Sequence, residues 1–190
     1  MVRAQTLLDA MDGIALVLDA DLRVVAGGWT NWSTFWRANG GAAPVPLALG
    51  SDITLAFSKG PVRCAFRAAL QGVLRGERPP LRLAFRCDSP RVLREMHLTV
   101  TRCGGDRLLY HARLLAERPW PARLSLVPQQ PERRCGVCAR VQMPAVTVPD
   151  GAAALQPDAL DWSEPVSPPQ VPAEEPDLCP RCHLALAATA

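Results

Sequence analysis

The chain has no run of the roughly 18 to 20 consecutive apolar residues that a membrane-spanning helix requires, so no bilayer crossing is expected. Nor is there a charge-free apolar stretch near the start, where Asp9, Asp12, Asp19 and Asp21 fall; a secretory leader is not expected, and the cytoplasm is. Lysine is almost missing: Lys59 is the single lysine among 21 basic residues. The arginine bias suits phosphate recognition, but a GC-rich genome produces it equally. Histidine occurs three times and tyrosine once. The sequence also lacks a phosphate-cradling glycine loop, a nucleophile elbow and a histidine-kinase motif. No enzyme is expected.

What is present is uneven. The 190 residues hold 48% apolar side chains, 19 prolines and 7 cysteines, enough for one ordinary domain and extra length. Up to Arg140 there are 20 basic and 11 acidic residues, and beyond it one basic and seven acidic. Thirteen prolines lie from Pro119 onward, which excludes long helices or central strands there. The expected division is a domain over 4–117, a linker over 118–134, and a module over 135–185. That module carries a proline-rich insertion at about 150–177, whose Pro and Glu content between Asp158 and Asp177 favours extended, partly disordered chain.

Ile14 to Leu18 and Leu22 to Ala26 are apolar runs flanking Asp19 to Asp21, the pattern of a hairpin. Trp32, Phe35 and Trp36 share one face of a short helix, with Thr30 or Asn31 as cap and Gly40-Gly41 as stop. Asp52 to Phe57 suits one helical turn. Pro61 to Leu74 is a longer helix with proline in its first turn, an inner face of Val62, Phe66, Ala69, Leu70 and Val73, and Gly76 past its end. Three strands follow, Leu81 to Cys87, Met96 to Thr101 and Arg107 to Leu115, alternating with period two; the last buries Leu108, Tyr110, Ala112 and Leu114. Leu98 and Tyr110 must share a face, so paired numbers in the last two strands sum to an even value. A register with Met96 opposite Ala112, Val100 opposite Leu108, Glu95 opposite Arg113 and His97 opposite His111 leaves Cys103-Gly104-Gly105 as the loop.

The order strand, strand, short helices, longer helix and three strands resembles the PAS domain, with anchors at Leu18 to Val25, Asn31 to Phe35 and Leu49 to Ile53. The resemblance implies an α+β fold, a five-stranded antiparallel sheet with helices on one face; the fold expected of the whole chain adds a small irregular metal-stapled C-terminal segment, which rests on the cysteines below. It also implies a sensing or protein-interaction role. Haem-binding PAS domains offer a histidine on or beside the long helix; Pro61 to Leu74 has none, and no haem is expected. Arg63-Cys64-Ala65-Phe66-Arg67 is similar to the reactive-Cys segment of the flavin-binding LOV subgroup, but Arg63 stands where that subgroup has Asn and Ala65 where it has Arg. The strands from 81 to 115 hold no Asn or Gln for a flavin ring, so no flavin is expected. Trp36, Phe85, Met96, Leu98 and Tyr110 are the candidates to line a pocket for a small apolar ligand; the alternative is a packed core.

Cys64, Cys87 and Cys103 are scattered. Cys135-Gly136-Val137-Cys138 and Cys179-Pro180-Arg181-Cys182 are two CxxC pairs, a spacing that aims two thiolates at one tetrahedral ion, with His183 as a possible substitute ligand. The long interval between them adds little closure entropy, about 0.6 kcal/mol per doubling. A structural zinc site is expected, and a redox disulfide pair or unconnected thiols are the alternatives. The tail resembles the CxxC...CPxC zinc-ribbon-like module that follows PAS or receiver domains in bacterial signalling proteins, although Trp162 comes late and Glu175-Pro176-Asp177 stands where His-Gly is usual.

The expected function is a cytoplasmic signalling adaptor with a partner protein, homodimeric through residues 2–11 with Leu109 and Leu115. Two alternatives stay open. One is a DNA-binding regulator in which Arg133, Arg134, Arg140 and Arg181 meet phosphates; the other is a thiol redox switch.

Overall fold

The computed structural model describes residues 4–38, 41, 48–57, 60–88, 92–119, 133–138, 141–142, 162–163 and 178–187. Helix α1 (Ala4–Ala10) precedes β1 (Ile14–Leu18), β2 (Val24–Gly27) and α2 (Trp29–Ala38); a 3-10 turn (Ile53–Ala56) and α3 (Pro61–Arg75) lead to β3 (Leu81–Arg86), β4 (Val92–Arg102) and β5 (Leu108–Pro119). These five strands form one antiparallel sheet in the order β2-β1-β5-β4-β3. The fold is α+β, as expected. Leu16, Leu18, Val62, Leu70, Leu98 and Val100 are fully buried between α3 and the sheet, the apolar burial that stabilises so small a domain.

Local chemistry fixes the element ends. Asp19 Oδ1 accepts from the N–H groups of Asp21 and Arg23, closing the β1–β2 turn. Leu22 is buried there at φ 61, in the left-handed region, so β2 begins at Val24 and not at Leu22 as the pattern suggested. The long helix starts on Pro61 and ends where Gly76, at φ 74, donates to Val73 O and Glu77 N–H donates to Gly72 O. The cap of α2 differs from expectation: Thr30 and Asn31 lie inside the helix, and Asp9 of α1 accepts the Thr30 N–H at 3.1 Å. Hydrogen bonds from Gln5 and then Thr30 hold the Asp9 carboxyl below its usual range. The helix ends at Ala38; Gly40, expected to stop it, lies outside the described residues, while Gly41 N–H returns to Trp36 O.

The register between β4 and β5 is shifted by two from the expected one. Met96 faces Leu114, His97 faces Arg113, Thr99 faces His111 and Val100 faces Tyr110, with a bulge between Glu95 and Met96 that leaves Glu95 opposite Ala116. Shifting by two keeps the buried face intact, which is why alternation alone selects neither register. The loop becomes Gly104-Gly105-Asp106, closed by Cys103 N–H on Arg107 O, and both glycines take positive φ, 107 and 54. Leu114, expected to be buried, is 43% exposed, because β1 reaches only to its first residue, Ile14, opposite Ala112 and leaves β5 uncovered beyond it.

A second, three-stranded sheet joins β6 (Arg133–Arg134), β7 (Val141–Gln142) and β8 (Trp162–Ser163). Trp162, late in sequence, is thereby paired with Gln142 right after the first cysteine pair. Helix α4 (Pro180–Ala187) completes the described chain; apart from Trp162–Ser163, the insertion expected to be disordered lies outside the described residues. No described helix is long and apolar enough to cross a membrane.

Candidate metal centre

Cys135 leaves β6 and enters a turn through Gly136, Val137 and Cys138, which brings the two sulfurs to the same side. Cys179 stands directly before α4, and its carbonyl accepts the His183 N–H at 2.9 Å as the first helical bond. Pro180 opens the helix without wasting a donor, and Cys182 lies one turn in. Thiolates at a helix N-terminus sit where the unpaired N–H groups favour negative charge.

The four Sγ atoms of Cys135, Cys138, Cys179 and Cys182 all lie within 4.8 Å of one another, with Cys138 and Cys179 at 3.6 Å. Bonds of about 2.3 Å to a tetrahedral zinc separate sulfurs by about 3.8 Å, so the set has the size of an ion's first coordination sphere. Cys135, Cys179 and Cys182 are buried and Cys138 is half-buried. Hydrogen bonds with Cys138 and Cys182 lower the Cys135 pKa, and those with Cys135 and Cys138 raise the pKa of Cys182. Sulfurs this close share protons when no cation is present; a divalent ion replaces those protons and favours four thiolates. These cysteines are positioned to bind a metal ion, and four soft sulfur donors fit zinc. Four thiolates would fill a tetrahedral ion's coordination sphere, the arrangement of structural sites.

The cluster packs on the main domain. Arg86 N–H at the end of β3 donates to Val137 O at 2.8 Å, and Val137, Cys182 and Leu186 join the core of the large sheet. From the α3–β3 connection, the Arg78 guanidinium donates to Leu186 O and Ala185 O, where the last carbonyls of α4 lack helical partners. Burial lowers the Arg78 pKa. None of these supporting residues is marked by a motif. The only cue in sequence is apolar: Val137 between the first two cysteines, and Leu186 four residues after Cys182 on the same helix face.

His183, the proposed substitute, is exposed on α4 and is not part of the cluster. Cys64 and Cys103 are exposed, while Cys87 is half-buried, with burial raising its pKa. The cavity found among the described residues does not gather all five pocket candidates. Met96, Leu98 and Tyr110 are buried in the core, Trp36 stacks on Trp32 at 6.3 Å, and Phe85 pairs with Met96 across β3 and β4. A cleft of about 350 Å³ takes in Phe85 and Met96, but its walls include Cys138 and Cys182 and none of Trp36, Leu98 or Tyr110. His97 and His111 are not opposite each other; His111 Nε2 lies 2.6 Å from Asp12 O. Of the arginines in the DNA reading, Arg181 is exposed on α4, Arg133 and Arg134 form β6, and Arg140 lies outside the described residues. Comparison with protein-family models, curated proteins and solved structures finds no match for this chain.

Proposed function

We propose that the chain is a non-catalytic signalling adaptor of the bacterial cytoplasm: a PAS-like sensing and interaction domain whose C-terminal segment is fastened to it by structural zinc. The observation that carries this reading is the closed set of four cysteine sulfurs docked on the β3 end of the sheet. Zinc bound there supplies a cross-link and no open coordination position. Cys135, Cys138, Cys179 and Cys182 hold it, the Arg86–Val137 backbone bond orients the first knuckle, and Arg78 anchors the helix that carries the second. The element order, with helices between an N-terminal hairpin and three C-terminal strands, supports the PAS-like assignment. Exposed Leu7 on α1, 58% accessible, supports pairing of two copies through this helix.

The test is isolation of the tagged chain from its own cells with and without chelator. The expected result is a colourless, zinc-bearing protein that co-purifies stoichiometrically with a signalling protein and loses it on chelation. A visible chromophore bound to the domain, or hydrolytic turnover dependent on the metal, would contradict the reading.

A further inference from the structure

Residue parity along β3 leaves part of its outer edge without a backbone partner among the described residues. Arg86 directs its N–H away from β4, to Val137 O, while Cys87 directs its own to Arg94 O on β4. Backbone groups alternate along a strand, so Arg82 and Ala84 also present N–H and C=O outward. Among the described residues no backbone partner meets them. The cleft runs beside this stretch, with Leu83, Met96, Leu115 and Ala185 as apolar lining. Arg82 on β3 and Arg181 on α4 stand along it, both exposed and without an ion pair or hydrogen bond among the described residues. The other charges are matched: Arg86 with Asp88 at 2.9 Å and Glu95 with Arg118 at 3.7 Å. Among the described residues the cleft therefore combines a strand edge without a backbone partner, apolar side chains in its lining and two arginines without an ion pair.

We propose that this edge of β3 binds an extended acidic peptide segment of a partner protein, which adds as a short strand over Arg82 and Ala84 and sets carboxylates against Arg82 and Arg181. Main-chain bonds to the edge give affinity and alternate side chains give specificity; guanidinium–carboxylate pairs select acidic sequences. Duplex DNA fits less well, because two arginines beside the cleft offer few of the phosphate contacts such binding uses. Cys138 and Cys182 form part of the wall, so the metal knuckle builds one side of the groove. The proposal deepens the adaptor reading and rests on it for the existence of a partner.

The test uses full-length zinc-loaded protein and an array of octapeptides alternating Glu or Asp with Val, Ile, Leu or Phe, read by fluorescence anisotropy, with zinc measured in the same sample. Expected are saturable binding of acidic members, at least tenfold weakening with Arg82→Glu plus Arg181→Glu at unchanged zinc content, and a similar loss when alternate peptide nitrogens are methylated. Equal binding of Lys-substituted peptides, indifference to methylation, or displacement of bound peptide by duplex DNA would overturn it. A zinc-loaded chain that binds no member overturns the docking site alone and leaves the zinc-stapled adaptor standing. A chain that binds no zinc overturns both.

Discussion

Asp52 caps the 3-10 turn through the Thr54 N–H at 2.8 Å and also pairs with Arg67. Partial burial alone would raise its pKa, but hydrogen bonds from Thr54 and Arg67 outweigh this and hold it below 3.8. A depressed folded-state pKa contributes stability that is present above the unfolded value and lost as pH falls through the folded one. Urea midpoints should therefore decline below about pH 4 in the wild type and less steeply in Asp52→Ala. Arg78→Ala leaves two carbonyls of α4 without their charged donor, and should cost about 1 to 2 kcal/mol in equilibrium unfolding. Two glycines separate strain from crowding. An alanine Cβ at Gly104, φ 107, meets open space, so only backbone strain of about 1 to 2 kcal/mol is expected. At Gly13, φ 87, the Cβ would also lie 2.3 Å from Ala112 O, so Gly13→Ala should lower the melting temperature more than Gly104→Ala.

At the scale of elements, legibility follows from how local each signal is. The long helix was readable to within a residue because proline, an apolar stripe and an αL glycine mark it from inside. The β4–β5 register was readable only in parity: two registers bury the same face, and the choice falls to the turn, where Gly104 and Gly105 both take positive φ. The exposure of Leu114 depends on where β1 stops, a nonlocal fact that alternation within β5 does not contain. Thr30 and Asn31 looked like caps because the true cap, Asp9, comes from another helix. The four clustered cysteines were legible from spacing alone, while the packing of their turns on β3 through Arg86 and Val137 leaves no motif. Chelation should therefore reach past the cysteines: hydrogen exchange is expected to accelerate in α4 and at the Arg86 amide, and to stay slow in β1 and β5.

For the molecule as a whole, the five-stranded sheet has its own core and the C-terminal segment adds Cys135, Val137, Cys179, Cys182 and Leu186 to it. Few other described apolar side chains hold that segment, so in the proposed function a metal cross-link is the term that decides whether it stays in place. His183, adjacent in sequence but turned to solvent, is the internal control. The measurement that bears most directly on this account is bound zinc per chain in purified wild type, Cys135→Ser, Cys179→Ser and His183→Ala. One zinc in the wild type and in His183→Ala, with zinc lost and the melting temperature lowered in both serine variants, is the predicted result. A wild-type chain that takes up no zinc, or serine variants that keep it with unchanged stability, would contradict the account.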